Sequence, residues 1–135
     1  MDTLVDLSAP LIAKQAAKFA KGWSRAGKDI RELRAKALAL PHQTHHFVPK
    51  GEKAFLPDYE AILSRYNLSV LDPWNEGFMP HQGRHPKEYC RWILKRLQKA
   101  DKFADGDQGL FLAYMKVVFE VIQEHPEMLR KDYWR

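Results

Sequence analysis

Five of the six histidines lie in two short windows of the sequence. The first window contains His42, His45 and His46, and the second contains His81 and His85. Histidine has no particular value as a filler of a protein core, so packing alone does not explain this clustering. Neutral imidazoles commonly bind divalent transition ions, and an imidazole that is not bound to a metal can take up a proton near neutral pH. The two windows therefore predict a site for metal or acid–base chemistry.

The spacing of these histidines is compatible with two kinds of site. In an extended segment, His45 and His46 point to opposite faces, so one can bind an ion while the other contacts a different group. His81 and His85 share a face if their stretch is helical, and His81 reaches the site from a loop if it is not. Three imidazoles on one ion, with a fourth left free, fit a catalytic site. A closed set that adds His42 to the three ligands fits a structural zinc ion in a non-enzymatic DNA-binding module.

Structural roles for the same residues are open at this point. His45 and His46 could form an exposed polar pair on an edge strand, and His81 and His85 could cap the helix that follows them. His42 fits a solvated or structural position, and it could also touch a phosphate.

Helices are predicted on both sides of the histidine windows. The periodicity of apolar residues predicts helices over about residues 8 to 22 or 27, 28–40, 57–66, 86–103 and 110–124. Residues 41–53 lack a helical period and are predicted as a short extended segment, and residues 74–84 are predicted as a loop. Pro86 fits the first position of its helix, where its missing amide is not needed. His125, near the end of the last helix, fits a favourable C-terminal charge.

The composition is that of an ordered, basic protein. Hydrophobic residues make up 45% of the 135 residues, which is enough to bury one core and argues against disorder. The net charge of +5 suits a polyanionic partner, because each cation near a phosphate releases counterions. On one surface of the helix over residues 86–103, Lys95, Arg96 and Lys99 are predicted to be solvated. The aromatic side chains are predicted to be core residues: Trp23, Tyr59, Tyr66, Trp92 and Phe119.

Several classes of protein are excluded by what the sequence lacks. Cys90 is the single cysteine, so the chain has no internal disulfide and no cysteine-based zinc finger. No stretch reaches the roughly 18 consecutive apolar residues of a membrane span, so no membrane partner is predicted. Four charged residues break any signal-peptide core in the first twenty positions: Asp2, Asp6, Lys14 and Lys18.

Three short segments occur in the order of a known family motif. Residues 44–49 read THHFVP, residues 75–80 read NEGFMP, and residues 81–86 read HQGRHP, with Tyr89 shortly after. In this order they resemble the HNH or endonuclease VII superfamily, which has a ββα-metal core, and within it the AHH and GHH types of bacterial toxin nuclease. The resemblance covers about residues 42–97. The chain departs from the motif at Thr44, where relatives have alanine or glycine, and at Glu76.

The resemblance implies a metal ion and a general base. His45, His81 and His85 would bind one divalent ion, either Zn, Mg, Mn or Ni. His46 would be the general base that accepts a proton from water.

The resemblance also implies residues that support the chemistry. Asn75 would fix the loop and the base, and Arg84 would contact the scissile phosphate. His42 and Lys50 are further candidates for a phosphate contact.

The fold expected from these observations is α+β and mainly helical, in a single nuclease domain over residues 1–135. It would comprise a helical N-terminal extension over 1–40, a ββα-metal core over 42–103 and a C-terminal helix over 107–135. In the core, a β-hairpin of about residues 44–49 and 68–79 would pack against the helix that starts near Pro86.

The function expected from the resemblance is cleavage of DNA by an endonuclease with little sequence preference and one divalent ion. An RNase of the same fold and the zinc-stabilised DNA-binding module are the alternatives. The resemblance further implies the toxin domain of a secreted or injected bacterial effector, which acts in the cytoplasm of a target cell and has a cognate immunity protein.

Overall fold

The computed structural model describes residues 29–81 and 83–134. The helix predicted over residues 8 to 22 or 27, together with Trp23, lies outside these residues. The described part has the predicted mainly helical α+β fold. Its elements, in order, are α1 Ile30–Leu38, β1 His42–His46, α2 Leu56–Leu63, β2 Glu76–Pro80, α3 Lys87–Ala104, α4 Gln108–Glu124 and α5 Lys131–Trp134. Short 3-10 helices occupy Ser64–Tyr66, Pro73–Asn75 and Pro126–Leu129.

Helix α3 is the centre of the packing. It contacts both α2 and α4, and its apolar stripe includes Tyr89, Ile93 and Leu97, all fully buried. Pro86 is the N-cap of α3, one residue before the predicted position. One continuous cluster of buried side chains joins these helices to Phe47 next to β1 and to Met79 of β2. The helices therefore form the platform on which the hairpin rests.

The aromatic residues within the described ranges confirm the prediction that they belong to the core. Tyr59, Tyr66, Trp92 and Phe119 are all buried. The solvated face predicted on α3 is wrong at Arg96, which is only 4% exposed and lies over the ring of Trp92. The apolar stripe of α3 is wide because the helix packs against α2 and α4, and it takes in the aliphatic part of this arginine.

The hairpin forms, but its second strand is later than predicted. β1 and β2 are antiparallel, with His45 opposite Gly77 and His46 opposite Glu76. The predicted strand began at residue 68, whereas residues 68–75 contain turns and the 3-10 helix Pro73–Asn75. The loop predicted over residues 74–84 is wrong for Glu76–Pro80. This strand is short and contains glycine and proline, so its own sequence carries little strand signal, and pairing with β1 determines it.

Gly77 is required by the packing beneath the hairpin. A Cβ atom at this position would lie 2.4 Å from Cζ of Phe47, which is buried and stacked on Phe119. We expect Gly77→Ala to lower the free energy of unfolding by about 1–3 kcal/mol, because the ring cannot move away without disturbing Phe119. Urea unfolding measures the change.

A double-mutant cycle provides the control for this prediction. In the Phe47→Leu background the smaller side chain leaves room for the new methyl group, so Gly77→Ala should cost less than in the wild type. Equal costs in both backgrounds would show that the ring of Phe47 is not what excludes a side chain at residue 77.

The chain continues past α4 into a C-terminal segment that packs on α1. The last predicted helix ended at residue 124 within a C-terminal helical region of 107–135, so the 3-10 helix Pro126–Leu129 and α5 were not predicted as separate elements. Glu127 is fully buried and accepts hydrogen bonds from Arg34 at 3.2 Å, and its other oxygen is 2.9 Å from Nδ1 of His125. Burial raises the pKa of Glu127, but the hydrogen bonds to His125 and Arg34 outweigh it and hold this pKa below its usual value. His125 thus ends α4, as expected, and also contacts a specific carboxylate.

Among the described residues, no helix combines the length and the hydrophobicity that crossing a membrane requires.

Candidate metal centre and active site

Three histidine side chains from separate segments meet at one point. His45 lies on β1, His81 follows β2, and His85 precedes α3, and one nitrogen from each lies within 4.8 Å of the others. Nδ1 of His45 is 3.3 Å from Nε2 of His85. Two nitrogens that are each about 2.1 Å from one tetrahedral ion lie roughly 3.4 Å apart. The His45–His85 pair therefore has the spacing that two ligands of one transition ion need, and with His81 it forms a set that could hold the ion.

The backbone explains why these side chains converge. The amide of His81 donates to the carbonyl of Pro41 at 3.1 Å, which extends the hairpin by one more hydrogen bond and fixes His81 beside β1. Gly83 has φ +86°, and this left-handed conformation lets the chain turn back so that His85 faces the same point. The ring of His85 then stacks on Tyr89, one turn into α3, with ring centroids 5.2 Å apart.

The burial of the triad fits a bound metal ion. His45 is 2% exposed, and Nε2 of His45 and Nε2 of His81 have no hydrogen-bond partner within the described part of the chain. Burial is the main cause that lowers the pKa of His45 to about 2 and that of His85 to about 3, and it also lowers the pKa of His81. The imidazoles are thus neutral, the form that binds a metal. Buried nitrogens without partners are rare, and an ion bound at Nε2 of His81 would satisfy that nitrogen.

His42 is not part of this cluster. It is exposed at the first position of β1, and its ring contacts Phe78 at 5.5 Å. The possible metal ligands that lie together in residues 29–81 and 83–134 are the three described above. Three protein ligands leave a coordination position open, which is the arrangement of catalytic rather than closed structural sites. The geometry therefore argues against the closed zinc site of four histidines.

His46 lies beside the triad without joining it. It is half-buried, it is opposite Glu76 in the hairpin, and its Nε2 is 3.6 Å from Oε1 of that residue. Burial lowers the pKa of His46, as does the charge of Lys50, and Glu76 raises it by less. Its charge is the smallest of the causes that lower the pKa of His45 and of His85, after burial and the other histidines.

Asn75 fastens the backbone that follows His46. Its Oδ1 accepts from the amide of Val48 at 2.8 Å, and its Nδ2 donates to the carbonyls of Val48 and Val70 at 2.8 and 2.9 Å. The amide of Phe47 donates to the carbonyl of Asn75 at 3.0 Å. The side chain is fully buried, and these three hydrogen bonds all join it to backbone groups. Asn75 thus joins the end of β1 to the loop before β2.

Removing this amide should destabilise the hairpin. Asn75→Ala leaves the buried amide of Val48 and the carbonyls of Val48 and Val70 without their partners. Each such group costs about 1–3 kcal/mol, so we expect the free energy of unfolding to fall by at least about 3 kcal/mol. Denaturant unfolding followed by circular dichroism measures it. Thr44→Ala, an exposed change in β1, is the control, and an equally small loss for both variants would contradict this role of Asn75.

The three residues predicted to contact phosphates differ in how near they lie to the triad. Arg84 is exposed and lines the same cavity as His81, and its guanidinium donates to Glu52 at 3.0 Å. Lys50 is exposed and close enough to His46 to lower its pKa, after the larger effect of burial. His42 lies at the opposite end of β1 from His46.

Three supporting residues had no role assigned from the sequence. The hydroxyl of Tyr89 donates to the carbonyl of Phe47 at 2.6 Å, and burial holds its pKa well above the usual value, so it remains a donor. Tyr89 lies four residues after His85, the spacing at which helical neighbours meet, and this signal was available. Glu76 contacts His46 through the register of the hairpin, and Glu52 contacts Arg84 across 32 residues. No local pattern predicts these two contacts.

A two-stranded antiparallel hairpin followed by a helix, with a histidine triad at their junction that could hold a metal ion, is the arrangement of a ββα-metal core. Residues 27–125 match a family model described as AHH, a nuclease family of the HNH/ENDO VII superfamily with conserved AHH. The chain belongs to this nuclease family. Nucleases of this superfamily are metal-dependent, and the histidine triad could hold an ion. No curated protein and no solved structure matches the chain.

Proposed function

We propose that this chain is an endonuclease that hydrolyses phosphodiester bonds of DNA, with little sequence preference and with one divalent ion at His45, His81 and His85. The observation that carries the proposal is the convergence of these three neutral imidazoles beside a fourth, His46, that is not part of the cluster. One metal-ion site next to one general base is sufficient to catalyse the hydrolysis of a phosphodiester.

The surroundings of each imidazole indicate whether it binds the ion or accepts a proton. When bound, a divalent ion polarises the scissile phosphate and neutralises charge on the departing oxygen. His46 accepts the proton of the attacking water. Its Nε2 faces the carboxylate of Glu76, which favours the tautomer with the proton on Nε2 and leaves Nδ1 as the basic atom. The same carboxylate stabilises the imidazolium that forms.

Two residues hold the base in position and others bind the substrate. Asn75 and Tyr89 bind the backbone of residues 47–48 and so limit the movement of His46. Arg84 would contact the scissile phosphate through Nη1, while its Nε and Nη2 stay on Glu52. Lys50 and His42 would contact phosphates at either end of β1.

The biological setting is proposed from family resemblance. The chain would be the toxin domain of a secreted or injected bacterial effector that acts in the cytoplasm of the target cell. A producing cell that holds such a nuclease must block it, so a cognate immunity protein is the expected partner. A basic nuclease suits an acidic inhibitor, because complementary charge speeds association.

A cleavage assay on two substrates tests the proposal. The purified chain is treated with a chelator, and Mg²⁺, Mn²⁺, Ni²⁺ or Zn²⁺ is then added singly to reactions with supercoiled plasmid and with total RNA. We expect nicked and then linear plasmid with at least one ion and none with chelator, because a closed circle reports internal cleavage. His46→Ala, purified in parallel, controls for contaminating nucleases.

The other outcomes separate the alternatives. Degradation of RNA with intact plasmid would replace DNA by RNA as the substrate. Loss of helical circular dichroism on chelation, without cleavage of either substrate by the metal-loaded chain, would favour the structural zinc module.

A further inference from the structure

Two cavities open beside the triad and share two cationic side chains. The larger, of about 530 Å³, is lined by His81, and the smaller, of about 230 Å³, is lined by His85. Arg84 and Lys131 line both. Lys131 is the first residue of α5, so this helix begins beside the histidine triad.

The carboxylates that line these cavities are already bound to arginines. Glu52 contacts Arg84, and Asp132 receives two hydrogen bonds from Arg130 at 3.1 and 3.2 Å. The contact with Arg130 is the main cause that lowers the pKa of Asp132, so this carboxylate is charged and neutralised by the arginine next to it. Neither carboxylate is therefore available to the lysines nearby.

Lys87 and Lys131 are the cations of these cavities whose positive charge is not neutralised by a neighbouring carboxylate. Both are exposed, and neither forms an ion pair with any of the described residues. Lys87 opens α3, whose N-terminus has no side-chain cap and carries a partial positive charge. Cations therefore line these cavities from two sides. Lys131 belongs to the C-terminal segment, and Arg84 and Lys87 lie next to His85 in the sequence.

The segment that carries Lys131 is held firmly in place. Glu127 is buried against Arg34 of α1, and Leu129 is buried in the main core. Nε1 of Trp134 donates to the carbonyl of Met128 at 2.8 Å, which closes the segment on itself. Residues 126–134 lie after the range 27–125 that matches the nuclease family, so this wall of the cavity is an addition to the matched region.

We infer that residues 126–134 form one wall of a nucleic-acid cleft, and that Lys131 binds a backbone phosphate next to the one that is cleaved. The inference rests on the proposed function. A phosphate at this point would meet an exposed ammonium group that has no ion-pair partner in residues 29–81 and 83–134. Because a rigid segment carries this group, the contact can position the nucleic-acid backbone. A contact to a backbone phosphate does not recognise the base, so it agrees with cleavage that has little sequence preference.

Binding measured over a series of salt concentrations tests this inference. The His46→Ala protein is loaded with metal and titrated into fluorescently labelled duplex and single-stranded oligonucleotides, with and without Lys131→Ala. One lost phosphate contact should reduce the slope of log K against log salt by about 0.9 for duplex and by about 0.7 for single strands. If the contact contributes nothing at 1 M salt, Lys131→Ala should bind the duplex about eightfold more weakly than the parent protein at 0.1 M salt.

Two variants serve as controls. Lys99→Ala removes an exposed lysine of α3 that lines neither cavity, and it should leave the slope unchanged. Lys131→Arg keeps the charge and should keep the slope. Because Lys131 is exposed, its variants should melt at the temperature of the parent protein.

The possible failures are distinguishable. Nucleic-acid binding by the parent with the same slope in Lys131→Ala, or an equal drop in Lys99→Ala, would overturn the inference and leave the proposed function intact. A parent that binds no nucleic acid, together with a wild type that cleaves none, would overturn both.

Discussion

His45→Ala is expected to remove both the bound metal and the nuclease activity. His45 is the least exposed member of the triad that meets within 4.8 Å, and its Nδ1 is 3.3 Å from Nε2 of His85. Loss of a residue that merely orients a ligand costs about 10–100-fold in metal affinity, so loss of the ligand itself should cost more than about 100-fold. Cleavage should fall to background, because charge on the departing oxygen is no longer neutralised.

Metal content and thermal stability measure this loss without reference to activity. At an ion concentration of about 100 times its Kd, the wild type should gain about 2.7 kcal/mol of stability, and His45→Ala should gain almost nothing. His42→Ala is the matched control, since it removes an exposed histidine three positions earlier on the same strand. It should retain a full equivalent of metal. An equal metal content in the two variants would exclude His45 as a ligand.

His46→Ala is expected to abolish most cleavage while metal binding is kept. General base catalysis typically contributes about 10²–10⁴-fold to the rate, and His46 is the imidazole that lies beside the triad without belonging to it. The turnover number should fall by that factor, and the metal-induced stabilisation should equal that of the wild type. Single-turnover cleavage of plasmid separates the loss in the chemical step from weaker substrate binding.

Chemical rescue distinguishes a proton acceptor from a structural histidine. Added imidazole should restore part of the activity of His46→Ala, since a half-buried site can admit a small base. The same addition should leave His45→Ala inactive, because the metal is missing there. A His46→Ala protein with wild-type turnover would end the assignment of His46 as the base.

Local sequence signals predicted the elements that have a strong period or a clear boundary. The apolar stripe of α3 runs for five turns, and Pro86 marks its start, so the structure differs from the prediction by one residue at each end. The extended segment around His45 and His46 was also predicted, because residues 41–53 lack a helical period. The second strand was misplaced because Glu76–Pro80 has no alternating pattern of its own.

Contacts across the chain could not be predicted in the same way. The pairing of His46 with Glu76 depends on a register that a shift of one residue would change. The approach of Lys131 to Arg84 depends on the burial of Glu127 against Arg34, two residues that are 93 positions apart. Periodicity and residue propensity describe neighbours along the chain, so they contain no information on either contact.

The sequence by itself determined which residue types were available and in what order: paired histidines on an extended segment, an asparagine and a glycine before a turn, and a histidine at the start of a long amphipathic helix. Only the tertiary structure decided which of them share a site. It placed His81 beside His45 and left His42 exposed, and it brought the segment of residues 126–134 to the histidine triad. The reason is physical, because metal ligation and proton transfer depend on distances of a few ångströms. Such distances between distant residues are fixed by the packing of α3 with the hairpin and by the docking of the C-terminal segment on α1.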